Sequence, residues 1–182
     1  MALVVGLSGR IGSGKGAVAQ YLREKYGAEQ FVFSKILADV LDRLSLPKTR
    51  QNLQKLGDSL RREFHKGVIV DALANDISKS KASLVVVDGI RYVNEVKMLR
   101  GFKENVLLYV DAPLEKRYER CVRRGEKGEG GMSLEEFEKS DLGPTELELE
   151  KVKGMADHIL ENTGSIEELH RKVGSILGKK FA

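Results

Sequence analysis

The stretch Gly9-Arg10-Ile11-Gly12-Ser13-Gly14-Lys15 constrains this chain more than any other. It follows an apolar run, Leu3-Val4-Val5-Gly6-Leu7, and leads into Val18-Ala19-Gln20-Tyr21-Leu22, which is patterned as a helix. Strand, glycine loop, lysine and helix in that order make a phosphate cradle. The glycines let successive backbone N–H groups turn inward on a polyphosphate, and Lys15 adds a point charge beside the outer phosphates. The following helix contributes its unpaired N–H groups and the positive end of its dipole. Gly9, Arg10, Ile11, Gly12, Ser13, Gly14, Lys15, Gly16 and Ala17 are therefore expected around a bound nucleotide. Most loops of this kind place Ser or Thr after the lysine to hold Mg²⁺, whereas Gly16 and Ala17 follow here. The metal must then be held by water, by the nucleotide or by an acid elsewhere. No Asn-Lys-x-Asp stretch for reading guanine is present, which argues against a GTPase-type site.

At 182 residues the chain is most simply one domain, 1–182, with enough length to bury a substantial core. No apolar run approaches the ~20 residues of a membrane span, and the chain enters its first strand at once, without a signal-peptide pattern. The single cysteine, Cys121, excludes an internal disulfide framework and suits a reducing compartment, so a cytoplasmic protein without a membrane partner is expected. The net charge of +4 is mild. A site for phosphorylated small molecules explains it as well as nucleic acid does, and nucleic acid is not the expected partner.

Along the chain, apolar runs alternate with helical periodicity. Strands are expected at 3–7, 31–33, 84–87, 106–110 and 156–160. Helices are expected after the glycine loop to a stop at Gly27, over 35–43, over two stretches between Thr49 and Ile77, and over 93–99 and 114–124. Further helices follow Ser133 and Ser165, each opened by a capping box, Ser133-Leu134-Glu135-Glu136 and Ser165-Ile166-Glu167-Glu168. This alternation implies an α/β fold: a five-stranded parallel sheet with helices on both faces in three layers. Leu84-Val85-Val86-Val87 reads as a central strand buried on both faces, ended by Asp88-Gly89. The glycine-rich run 125–131 reads as the most flexible stretch of a small lid spanning about 117–145.

Ligands of open parallel sheets bind at the carboxyl ends of strands. That puts Asp88 near the phosphates, where it orients Mg²⁺ through water, and Arg91 on the same rim, where it either grips an acceptor phosphate or pairs with Glu95. Arg117, Arg120 and Arg124 recur at spacings of three and four, on one face of the helix that enters the lid. Such a face neutralises the charge of phosphoryl transfer and expels water, or is a solvated basic helix. Ser34, Arg50 and Arg61, in and beside a helical insertion at about 35–79, are acceptor-side candidates, although charges on amphipathic helices are commonly the wet face. The three histidines, His65, His158 and His170, are too scattered for a metal site.

Gly12-Ser13-Gly14-Lys15-Gly16 resembles the P-loop of adenylate-kinase-type nucleoside monophosphate kinases. The sequence is similar as well to dephospho-CoA kinases, both at Leu3–Lys15 and at Ala156-Asp157-His158-Ile159-Leu160-Glu161-Asn162-Thr163-Gly164. The resemblance implies a P-loop kinase using ATP and Mg²⁺, with Lys15 bridging phosphates, Arg117, Arg120 and Arg124 acting from the lid, and Asn162 and Gly164 near the donor adenine. Dephospho-CoA kinases carry a base aspartate just after the second strand, where this sequence reads Phe33-Ser34-Lys35. Transfer onto the phosphate of a nucleoside or deoxynucleoside monophosphate, which needs no such base, is the expectation. Transfer to a sugar hydroxyl and a non-catalytic ATP-binding module are the alternatives.

Overall fold

The structure, a computed structural model, describes residues 2–125, 132–143 and 146–181. Five strands, β1 (Leu3–Ser8), β2 (Glu29–Val32), β3 (Leu84–Ile90), β4 (Glu104–Asp111) and β5 (His158–Glu161), form one sheet in the order β2-β3-β1-β4-β5. Every pairing is parallel, as expected. The helices are α1 (Lys15–Tyr26), α2 (Phe33–Arg43), α3 (Arg50–Glu63), α4 (Val68–Lys79), α5 (Val93–Arg100), α6 (Leu114–Arg124), α7 (Leu134–Asp141), α8 (Leu149–Gly154) and α9 (Ile166–Phe181).

The pleat of the central strands generates the layers. Leu3, Val5 and Leu7 of β1, Leu84 and Val86 of β3, and Val106, Leu108 and Val110 of β4 pack with Val18 and Leu22 of α1 and Leu169, Val173 and Leu177 of α9. The intervening residues Val4, Val85, Val87 and Leu107 face the other way, onto Leu73 and Ile77 of α4, Val96 and Leu99 of α5, and Val152 of α8. Alternate side chains thus feed two apolar cores, one on each face of the sheet. With both faces covered, ligand access is left to the ends of the strands.

Local chemistry sets several element ends as the sequence predicts. Gly27 closes α1 in the left-handed conformation. Thr49 Oγ1 accepts the Asn52 N–H at 3.2 Å to start α3. Both capping boxes close reciprocally, Ser133 with Glu136 and Ser165 with Glu168. Several boundaries differ from the expectation, among them β4, which begins two residues early at Glu104. β2 lies at Glu29–Val32 rather than 31–33, because its pairing with β3 stops at Val32 opposite Asp88, and Phe33 and Ser34 open α2. β3 does not end at Asp88-Gly89 but continues to Ile90 through an irregularity in its pairing with β1, anchored where Ser8 Oγ donates to the Ile90 carbonyl at 2.7 Å. β5 begins at His158, two residues late. The glycine-rich run expected to be flexible lies, at 126–131, outside the described residues.

Candidate active site

β1, at the centre of the sheet, delivers the chain into the glycine loop, and α1 carries it away. Gly12 and Gly14 have φ of 75° and 109°, a region glycine alone enters freely. Side chains could not fit there in any case: a Cβ on Gly12 would strike the Arg117 carbonyl, and one on Gly14 would strike Asn162 Nδ2. No side chain caps the N-terminus of α1 and no acid stands in its first turn, so the helix presents bare N–H groups and an uncompensated dipole. Lys15 Nζ folds over the loop, donating to the carbonyls of Gly9 at 2.6 Å and Arg10 at 2.9 Å. Ser13 Oγ is buried without a hydrogen-bond partner among the described residues. A cradle that any side chain would fill, an uncapped helix start, a lysine and an orphaned hydroxyl together fit a polyphosphate.

A cavity of about 840 Å³ opens from this loop along the carboxyl ends of the strands. Of the residues expected in the site, Ile11, Gly12, Gly14, Lys15, Gly16, Ala17, Ser34, Arg61, Asp88, Arg91, Arg120 and Arg124 line it. Asp88 and Glu95 are the carboxylates among the lining residues. Gln30 Nε2 on β2 donates to Asp88 Oδ2 at 3.0 Å and so fixes the aspartate's orientation. No group of three or more His, Cys, Asp or Glu that could hold a metal occurs among the described residues, so Asp88 fits Mg²⁺ only as one partner beside water and phosphate oxygens.

Other expected residues support the cavity wall or turn away from it. Arg120 bridges Ser13 and Asn162, donating to their carbonyls at 3.4 and 3.0 Å, and Asn162 Nδ2 donates back to the Ser13 carbonyl at 2.8 Å. Gly164, in the turn after β5, packs against the Glu168 carboxylate. Arg117 turns inward, not toward the cavity. It is buried, bonds bidentately to Asp141 of α7 at 2.7 and 2.8 Å, and reaches the Ile11 carbonyl at 3.3 Å. Arg10 likewise points away from any phosphate, its guanidinium bonding to Asp141 and, at 3.0 Å, to Glu150. The contribution of Arg10 to the loop is its backbone. Arg91 forms an ion pair with Glu146, not with Glu95. The side chain of Arg50 lies outside the described residues.

The lining also includes residues to which the sequence assigned no role in the site. Glu95, considered only as an ion-pair partner for Arg91, is one: it is only 5% exposed, and its Oε2 accepts the N–H groups of Arg91 at 2.7 Å and Tyr92 at 3.2 Å. Burial pushes its carboxyl up to about 7, against the opposing pull of those two N–H groups and the Arg91 and Arg61 charges. The one local signal for Glu95 was an acid in the first turn of α5, which reads as a cap. Tyr92, Phe33, Leu37 and Ile69 also line the cavity.

A glycine cradle at the centre of a parallel sheet ordered β2-β3-β1-β4-β5, opening into a cavity edged by arginines, defines a P-loop nucleotide-binding domain of kinase-like architecture. The chain belongs to the AAA-domain family, which matches residues 8–138, and it falls with the UPF0200 proteins. The UPF0200 protein of Hyperthermus butylicus is 30% identical to it over 97% of this chain and 94% of the relative. That of Aeropyrum pernix is 31% identical over 92% and 88%. Among solved structures, TT1252 from Thermus thermophilus superposes with a TM-score of 0.66 at 24% identity, covering 98% of this chain and 97% of that one. Shikimate kinase from Acinetobacter baumannii superposes with a TM-score of 0.62 at 17% identity, covering 100% and 97%. These structural likenesses are likenesses of fold. No helix among the described residues is long and apolar enough to cross a membrane.

Proposed function

We propose that this protein is an ATP- and Mg²⁺-dependent phosphotransferase whose acceptor is the phosphate of a small nucleotide. One observation carries the reading: a single cavity runs from the glycine loop to Arg61, Arg91 and Tyr92, so donor and acceptor sites share one space. Mg·ATP, when bound, supplies the phosphoryl group and the metal's charge. Lys15 and the loop amides hold and neutralise the donor phosphates, as positioning and charge stabilisation are most of what this chemistry asks of a protein. Asp88, oriented by Gln30, would hold Mg²⁺ through water. Arg120 and Arg124 stand at the donor side, on the helix that leads into a lid over 117–145. Arg117 and Asn162 act as positioning residues, the first through the Ile11 carbonyl and the second through Ser13, with Gly164 in the turn beyond. The insertion at 35–79 forms the acceptor side, with Arg61 and Arg91 for the acceptor phosphate, Ser34 at the start of α2, and Arg50 as a further candidate. Phosphate oxygens are already nucleophilic, so no base is required there.

ADP release with Mg·ATP, measured against a panel of nucleoside and deoxynucleoside monophosphates plus dephospho-CoA, tests this. Stimulation by a monophosphate is expected. Lys15→Ala should reduce the stimulated rate on the order of 10²–10³-fold, as loss of a transition-state charge partner does, while the fold persists. Stimulation by dephospho-CoA alone, or by no acceptor, overturns the reading, as does unchanged turnover in Lys15→Ala.

A further inference from the structure

Phosphoryl transfer between Lys15, Asp88 and the arginines leaves one carboxylate of the cavity without a task. Oε2 of Glu95 is committed to the N–H groups of Arg91 and Tyr92, but Oε1 accepts no hydrogen bond among the described residues. The side chain lines the cavity among Phe33, Leu37, Ile69 and Tyr92. Oε1 opens onto the cavity rather than being sealed from it, and a carboxylate oxygen so placed is a ready acceptor for a ligand's N–H. Capping α5 accounts for one oxygen; it does not account for the other being held on a cavity wall. Apolar side chains of the same cavity lining suit the faces of a flat heterocycle. Arg61 and Arg91, at the same end, suit the phosphate of the same molecule.

We infer that Glu95 is a specificity-determining residue whose Oε1 accepts an N–H from the acceptor's base, so that the site takes a monophosphate bearing an exocyclic amino group and rejects its keto counterpart. The inference rests on the phosphotransferase reading above and names the acceptor class for it. Above pH 7, where the carboxyl is ionised, a carbonyl oxygen at the place of the amino group would face Oε1 lone pair to lone pair, and that hydrogen bond would be lost. Sites built around a buried hydrogen bond discriminate strongly for that reason.

The test compares ligand pairs that exchange an exocyclic amino group for a keto group, with a proton gained on the adjacent ring nitrogen: AMP with IMP, and CMP with UMP. In the wild-type enzyme assayed above pH 7, where Glu95 is ionised, the amino member of the pair that is used should exceed its keto partner in kcat/KM by about 10- to 100-fold, the scale of one hydrogen bond to a charged group. Glu95→Gln keeps an oxygen for the Arg91 and Tyr92 N–H groups and puts an NH₂ donor where Oε1 stood. It should therefore reverse the preference, with an unchanged KM for Mg·ATP serving as the control on the fold. A wild-type enzyme that does not distinguish the partners overturns the inference. So does a Glu95→Gln variant that weakens both partners equally, since that is what a purely structural cap would do. Failure of every monophosphate with the wild type instead overturns the phosphotransferase reading, and this inference with it.

Discussion

Glu95 sits under two opposing demands, and its ionisation shows how they are balanced. Burial raises its carboxyl from the ordinary 4.5 to about 7, while the Arg91 and Tyr92 N–H groups and the two guanidinium charges restrain the rise. The folded protein therefore binds a proton that the unfolded chain has already released between those two values. Stability linked to this group is complete below about 4.5 and is lost as the pH rises through 7. At 1.36 kcal/mol per pH unit, the difference reaches about 3 kcal/mol. Denaturant unfolding of the wild type and of Glu95→Gln at a series of pH values isolates the effect, because all other titrations are common to both. The wild type should lose stability relative to the variant between pH 4.5 and 7; parallel profiles would show that the carboxyl is not held in a dry site.

Among the elements, the glycine loop was fully legible because its chemistry is local. Glycines at fixed spacing, a lysine and a helix start are contiguous in the chain and need no distant partner to define them. The capping boxes and the Gly27 stop were legible for the same reason. The β2–α2 boundary was not, because β2 ends where its pairing with β3 ends, 56 residues away at Val32 opposite Asp88. Arg117 shares a helical stripe with Arg120 and Arg124, and sequence spacing gave no ground to separate them. What separates them is Asp141, a buried partner 24 residues on. The loop nevertheless contains a sharp local contrast. Gly14→Ala places a Cβ against Asn162 Nδ2 in a backbone with φ of 109°, where strain alone costs about 1–3 kcal/mol. Gly16, two residues later inside α1, has nothing within 4 Å of where a Cβ would go, so Gly16→Ala should be neutral or stabilising by up to about 1 kcal/mol. Thermal melts of the two variants should move in opposite directions or leave only Gly14→Ala impaired. A Gly14→Ala protein that melts like the wild type would mean the loop tolerates another path.

For the whole molecule, the decisive tie is Asp141. Its carboxylate takes both terminal nitrogens of Arg117, and its carboxylate and carbonyl together take one nitrogen of Arg10, so α6, α7 and the glycine loop meet on one side chain. The loop's two ends are then secured by different means: Asp141 through Arg10 and Arg117 at its start, and Asn162, at the end of β5, through Ser13. Arg117 is 5% exposed and Asp141 6%, and breaking such a pair by removing one partner costs about 3–5 kcal/mol, because the other charge stays buried alone. Asp141→Asn keeps the shape and removes the charge. At 182 residues a loss of that size corresponds to a fall in melting temperature of about 10 °C. If the clasp also shapes the cradle, as the Arg117 bond to the Ile11 carbonyl implies, ATP should bind more weakly in Asp141→Asn as well as the fold being less stable. Saturating ATP should then return part of the lost melting temperature, since a ligand bound only by the folded state stabilises it in proportion to its occupancy. A large melting loss with undiminished nucleotide affinity would confine Asp141 to fold stability. An unchanged melting temperature would show that Arg10 and Arg117 are satisfied without it.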